Sequence, residues 1–447
     1  MNGLLFFLDI LITIIGFITM IYQIMVVVVG MLAKPTVYPD VPQDRRYAVL
    51  ISARNEEAVI GNLVRSIQNQ TYPSELVDVW LVADNCTDKT AQVVRDMGCH
   101  VVERFNKQQV GKGYALQYLL RKMMADGEAQ KYDAFFIFDA DNLLDKNYIA
   151  EMNKARQAGF EVLTSYRNSV NTGQNWISSG AALWFVRESR FLNTTRSALG
   201  TSCHVGGTGF MFSRRIMERN DGWKFHLLTE DMEFTMDCIL HGDRIGFCGS
   251  AMFYDEQPVD FKTSWDQRVR WSKGFLQVFR YYSKVMAQWG IKERDFSAID
   301  VTLMVCPFMV ISVVRFLLGI IYAALGYISW YSIIQGFSSW GTSILGFLIG
   351  MMVLALVSGF VERDKLNITM KELLVYTLSF PVYMASYVPI SFVAIFAKSQ
   401  WKPIAHAGGQ AAADIMANEG VVEKGAGRAV RAGESAEEAV GGVQTHA

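Results

Sequence analysis

Apolar residues gather at the two ends of this chain and charged residues in its middle. That segregation limits its possible folds more than any single motif. From Gly3 to Ala33 the sequence is almost continuously apolar, broken by Asp9 and Gln23, and long enough to cross a ~30 Å hydrocarbon layer. A cleaved leader fits poorly: no basic segment precedes the run and no small-residue cleavage site follows it. Lys34, Arg45 and Arg46 come just after the run and no Lys or Arg comes before it, which predicts an anchor with its amino terminus outside and the next domain in the cytosol. A second block predicts three more spans, Val301 to Trp330, Thr342 to Val361 and Leu373 to Phe396. Between them, Tyr331 to Gly341 is expected outside and Glu362 to Lys371 inside, with Pro381 and Pro389 kinking the last span. Three spans after the domain leave the carboxyl terminus outside, whereas Lys398 and Lys402 argue for inside. Arg315 falls in the middle of an apolar run, where a guanidinium must face protein, water or a ligand.

The segment between these blocks, Tyr38 to Ser297, carries most of the charge and alternates short β-rich runs with helical stretches, the pattern of a soluble α/β domain with a parallel sheet. Strands are expected at Tyr47 to Ala53, Val77 to Asp84, His100 to Glu103 and Asp133 to Asp139, and ligands of such sheets collect at the strands' carboxyl ends. Over the 447 residues, 51% are hydrophobic and 19% charged, below the ~25% charge of ordinary soluble chains. Forty-two basic residues balance 43 acidic ones, so no global field draws nucleic acid. Six cysteines without a CxxC pair fit neither a disulfide framework nor a zinc site and suit a reducing compartment. After Ala407 the chain turns to Ala, Gly and scattered charge and reads as a flexible tail.

Each strand end has a bland reading and a functional one. Glu56 and Glu57, after Ala53-Arg54-Asn55, could simply complement a helix dipole. Asp88 or Thr87 can cap the helix after the second strand, which leaves Asp84 free to accept hydrogen bonds from a nucleotide. Gly111-Lys112-Gly113 lacks P-loop spacing and is either a surface turn or a phosphate contact. Asp139-Ala140-Asp141 ends a strand that is apolar on both faces and therefore central. Residues two apart point the same way, so this pair can share Mg²⁺ or Mn²⁺ bridging a diphosphate, with a helix cap from Asn142 or Asp145 as the alternative. His204 to Phe210 makes a glycine-rich turn into a strand. Thr229-Glu230-Asp231 opens an amphipathic helix, an ordinary helix start. Gln267-Arg268-Val269-Arg270-Trp271 suits a pyrophosphate with a sugar stacked on Trp271, or an interfacial helix.

In their order and spacing these motifs resemble the membrane-embedded family 2 glycosyltransferases, the processive cellulose, chitin and hyaluronan synthases. The resemblance implies an α/β, GT-A-like (Rossmann-like) cytosolic catalytic domain with a mixed or parallel sheet, plus transmembrane α-helices. The parts would be an anchor at 1–37, the transferase domain at 38–272, interface helices at 273–299, three spans at 300–398 and the tail at 399–447, in a multi-pass protein of the plasma membrane. It further implies that Ala53, Glu56 and Asp84 hold a uridine, that Lys112 contacts the nucleotide, and that Asp139 and Asp141 position the metal. Asp231 would be the base. Gln267, Arg268 and Arg270 would close over the pyrophosphate from a gating loop that precedes the interface helices. Trp271 would lie under the acceptor sugar, and Gly207, Thr208 and Glu230 would border the acceptor.

The expected reaction is transfer from a nucleotide sugar, UDP-linked in the relatives, with inversion. The expected acceptor is a growing glycan carried through the membrane helices. The alternatives are a non-processive transferase acting on a lipid or glycolipid, and an inactive membrane scaffold, against which Asp139, Asp141, Asp231 and Arg270 argue.

Overall fold

The computed structural model describes residues 24–307, 329–366 and 368–398, with isolated positions in 7–22 and 310–326. Arg315 and the tail after 398 lie outside the described residues, as does about half of each of the predicted spans at Gly3 to Ala33 and Val301 to Trp330.

Eight strands form one mixed sheet in the order β3-β2-β1-β4-β7-β6-β8-β5. They are β1 (Tyr47–Ala53), β2 (Val77–Asp84), β3 (His100–Arg104), β4 (Ala134–Asp139), β5 (Leu143–Leu144), β6 (Val162–Ser169), β7 (Phe210–Ser213) and β8 (Ile245–Asp255). The first four match their predicted ranges and run parallel, β1 pairing with both β2 and β4. Strand β7 then enters antiparallel beside β4, while β6 and β8 are parallel to each other.

Helices cover both faces of this sheet, so its strands are apolar without alternation. Val49, Ile51, Phe136 and Phe138 pack on one face with Ile60, Leu63, Val64 and Ile67 of the helix Ile60–Gln68. Leu50, Phe135 and Ile137 pack on the other with Leu116, Leu119 and Leu120 of Lys112–Ala125. Burying each such side chain contributes ~1.5–3 kcal/mol. This twofold cover holds the ends of β1, β2 and β4 in a row.

The motif Gln267 to Trp271 lies inside one helix, Phe261–Lys292, capped by Asp260, whose carboxylate accepts from Thr263 N at 2.8 Å. The expected gating loop is therefore helical here, and the expected boundary at 272/273 falls in mid-helix. Nothing between Phe261 and Lys292 breaks helical hydrogen bonding, because the stretch contains no proline.

Tyr331 to Gly341, expected as an external loop, is part of the helix Trp330–Val361. The last predicted span is two abutting helices, Met370–Ala385 and Tyr387–Phe396. Pro389 sits in the first turn of the second, where its missing N–H is tolerated. Among the described residues only Met370–Phe396 is long and apolar enough to cross a membrane, with mean hydropathy 1.6. The helices dock on the catalytic domain through a buried polar knot. Glu362 pairs with Arg190 at 2.9 Å and Lys365 at 2.7 Å and accepts from the Tyr166 hydroxyl at 2.9 Å.

Candidate active site

A cavity of about 1550 Å³ opens at the carboxyl ends of β1, β2 and β4. Asn55 and Asn85 turn the chain there with φ of 59° and 55°, a left-handed conformation that asparagine tolerates better than most residues. Asn55 Oδ1 accepts from Thr87 N at 2.8 Å, and Glu57 accepts from Lys89 N at 2.8 Å. Asn55 and Glu57 thus lace the first two strand-end loops together, while Ala53 and Glu56 line the cavity. The dipole role foreseen for the two glutamates is not used, since the helix Ile60–Gln68 has no acid in its first turn. Asp88 accepts from Thr90 N, the first residue of the helix Thr90–Asp96, at 3.1 Å, while the N-cap position itself is Lys89.

Asp84 also lines the cavity. It is buried against Arg104, whose Nη1 donates at 2.5 Å. Burial pushes its pKa up and the guanidinium pulls the other way, leaving a net rise. Arg104 was missed from sequence; the register of β2 with β3, which sets Arg104 beside Asp84, was the available signal.

Lys112 donates to the Asp139 carboxylate and, at 2.8 Å, to the Gly207 carbonyl. Asp139 N donates to Thr208 Oγ1 at 2.9 Å and to Asn142 Oδ1 at 3.2 Å, and the Thr208 hydroxyl donates to Asn142. Thr208 is therefore spent on the Asp139 turn; it is buried and off the cavity wall, which corrects its expected place beside the acceptor. Gly207 does line the cavity. Gly111, at φ 133°, would admit a Cβ, whereas a Cβ on Gly113 would lie 2.1 Å from the Phe225 carbonyl oxygen. Close packing, not phosphate approach, requires that second glycine.

Among the described residues no group of three or more His, Cys, Asp or Glu could hold a metal. Asp139 and Asp141 nevertheless line one cavity wall and offer hard oxygen donors of the kind Mg²⁺ or Mn²⁺ takes alongside substrate phosphates. The donor set fits a metal completed by a diphosphate.

Glu230 and Asp231 open the helix Glu230–Leu240 and line the same cavity. Burial, helped by the neighbouring Asp231 charge, pushes Glu230 up to about 7. Burial also raises Asp231, against the pull of Met232 N, Lys112 and His204. Thr229 makes no cap bond, and its buried hydroxyl has no partner. Glu233 instead gathers the preceding chain, accepting from His226 N at 2.8 Å and Leu227 N at 3.0 Å.

Helical spacing divides the last motif. Gln267, Arg270 and Trp271, at i, i+3 and i+4, share the cavity face. Arg270 has no hydrogen-bond partner among the described residues; burial lowers its pKa while Glu230, Asp139 and Asp231 act to raise it. Trp271 meets Phe185 edge-to-face at 6.2 Å. Arg268 faces the other way. It is fully buried, donates to Ser386 Oγ at 2.6 Å and the Tyr383 carbonyl at 3.2 Å, and lies 4.4 Å from the Tyr383 ring centroid. Its expected contact with pyrophosphate is corrected, because a one-residue step along a helix turns a side chain by roughly 100°.

Beyond Trp271 the sequence foresaw little. Arg167, Glu188, Arg196, His204, Asp255 and Asp300 also line the cavity. Arg167 Nε donates to Asp255 at 2.7 Å and Arg196 Nε to Asp300 at 2.7 Å. The same cavity also has apolar lining, including Val27, Leu192, Leu303, Met304, Leu354 and Val357 together with the aromatic Tyr22, Trp184, Phe275 and Phe296.

Residues 42–274 match the family model described as "Glycosyltransferase like family 2". The β-monoglucosyldiacylglycerol synthase of Synechocystis sp. is 25% identical over 256 residues, covering 56% of this chain and 50% of the relative. The poly-β-1,6-N-acetyl-D-glucosamine synthase of Staphylococcus epidermidis is 20% identical over 233 residues, covering 51% and 54%. The chain thus spans about half the length of the curated relatives it matches. Among solved structures, the mannosyltransferase PcManGT of Pyrobaculum calidifontis, in complex with GDP-Man and Mn²⁺, has a TM-score of 0.48 at 14% identity, covering 86% of this chain and 99% of that one. With the match reaching across more than half its length, this chain belongs to glycosyltransferase-like family 2.

Proposed function

We propose that the protein transfers one sugar from a nucleoside diphosphate sugar, expected to be UDP-linked, to a hydroxyl carried by a lipid. The observation that carries this is the continuity of one cavity from the carboxylates and Arg270 to a wall of Val, Leu and Met. An apolar acceptor tail gains ~0.8 kcal/mol per buried CH₂ in such a space. The Synechocystis relative, a glucosyldiacylglycerol synthase by name, points the same way.

In this reading Ala53, Glu56 and Asp84 hold the nucleoside. Lys112 and Arg270 face the diphosphate, and Gln267 and Trp271 border the sugars. Asp139 and Asp141 would hold Mg²⁺ or Mn²⁺, which supplies charge neutralisation on the leaving diphosphate. Arg270, with no hydrogen-bond partner among the described residues, adds its donors to the phosphate oxygens as negative charge builds there. The acceptor oxygen attacks the anomeric carbon, the bond from that carbon to the phosphate oxygen breaks, and Asp231 takes the hydroxyl proton. A single displacement inverts the anomeric centre. Apolar walls keep competing water away.

Incubating the purified protein with a panel of nucleotide sugars and detergent-dispersed monoacylglycerol, then sizing the product, tests this. A monoglycosylated lipid is the expected product. A long water-soluble glycan would refute the lipid reading.

A further inference from the structure

We infer that Glu188, clamped by His204, holds the acceptor head group, and that it selects an uncharged, hydroxyl-rich head group over a phosphate-bearing one. This deepens the lipid-acceptor reading and rests on it. Glu188 follows the helix Trp176–Arg187 and opens the π-helical turn Glu188–Asn193, a widened turn found often at functional sites. Its Oε1 lies 3.2 Å from His204 Nε2.

The other imidazole nitrogen, Nδ1, is 2.8 Å from Arg196 Nη1. A guanidinium only donates, so Nδ1 is the acceptor and the proton sits on Nε2, directed at Glu188. Asp300 and, through it, the Tyr22 hydroxyl at 2.6 Å hold Arg196 in place. The imidazole Nε2–H thus fixes one carboxylate oxygen of Glu188. Burial would raise the Glu188 pKa, but His204, Arg167 and Arg187 outweigh it and the net shift is downward. The side chain remains 18% exposed, on the cavity wall.

Its place matches that of a head group. A Cβ on Gly206 would lie 3.6 Å from Glu188 Oε1, and one on Gly207 would lie 3.6 Å from Asp231 Oδ2. The two carboxylates therefore flank one glycine pair, and an acceptor with one hydroxyl on Asp231 brings a neighbouring hydroxyl to Glu188. One turn further on, Leu192 already belongs to the apolar wall, so Glu188 marks the polar–apolar junction. A phosphate there would meet Glu188, Glu230 and Asp231. Arg167 and Arg196 are already paired with Asp255 and Asp300, and Arg187, stacked 4.8 Å from the Trp184 ring, acts on Glu188.

The test uses the full chain in detergent with 1-oleoylglycerol and 1-oleoylglycerol 3-phosphate as acceptor probes. The wild type should favour the first by about tenfold or more in kcat/KM. Glu188→Gln should raise the KM for 1-oleoylglycerol roughly ten- to hundredfold, the loss of a charge-assisted hydrogen bond, and leave the UDP dissociation constant in place. Glu188→Asp, which keeps the charge and supplies the result if the glutamine variant does not fold, should recover part of that loss. An unchanged acceptor KM in a folded variant, or preference for the phosphate probe, would overturn the inference while the lipid reading stands. A wild type that glycosylates neither lipid but extends a soluble oligosaccharide brings down both.

Discussion

Arg268 and Arg270 sit two residues apart on one helix and point to opposite sides of it, Arg268 into the Tyr383–Tyr387 packing and Arg270 into the cavity. Their substitutions should separate accordingly. Arg270→Ala should lower kcat by about 10²–10³-fold, the loss seen when one charge-stabilising donor is removed, with little change in melting temperature. Arg268→Ala should cost about 1–3 kcal/mol of stability by stranding buried carbonyl and hydroxyl partners. Turnover and thermal melting on both variants decide it, and a catalytic defect in folded Arg268→Ala would return that residue to the site.

Asp231→Asn should remove proton acceptance, a ~10²–10⁴-fold contribution, and leave nucleotide binding intact. Because Asp231 titrates above its ordinary range, wild-type activity should fall as pH drops through that raised value. Loss of UDP binding in the variant would assign Asp231 a structural role instead.

Glu230 adds a pH dependence of stability with a definite sign. Its pKa rises from 4.5 in the unfolded chain to about 7 in the folded one, so the folded state binds the extra proton. The stabilisation is full below 4.5 and is lost as pH climbs to about 7. Melting temperature should decline over that interval in the wild type, and Glu230→Gln should flatten the decline. An equally steep decline in the variant would place its origin elsewhere.

Asp141→Ala should weaken donor binding when Mg²⁺ or Mn²⁺ is present and make no difference in excess chelator. Titration calorimetry with UDP under both conditions reads this. Equal affinities for wild type and variant with metal present would remove Asp141 from the metal site.

Gly113→Ala should destabilise the fold by about 1–3 kcal/mol through overpacking, since its methyl would lie 2.1 Å from the Phe225 carbonyl oxygen. Gly111→Ala meets no such atom and carries only the strain of its φ of 133°. Chemical denaturation of the two variants compares them, and an unaffected Gly113→Ala would show that the Phe225 segment yields.

The sequence alone determined the α/β plan, the carboxylates at the ends of β2 and β4 and the cluster Gln267, Arg268, Arg270 and Trp271, without dividing it. Periodicity and strand-end chemistry are local, and a run such as Ala134 to Asp139 carries its central burial and its terminal acids in six residues. Tertiary structure decided what each polar side chain spends itself on. Thr208 belongs to the Asp139 turn because β7 runs antiparallel beside β4, and Arg268 belongs to the carboxyl-terminal helices because they dock on that face. The clamp of Glu188 by His204 and Arg196 joins positions 8–16 residues apart along the chain to Asp300, more than a hundred residues further on. Such pairings depend on how the elements pack, and no local pattern in the chain encodes them.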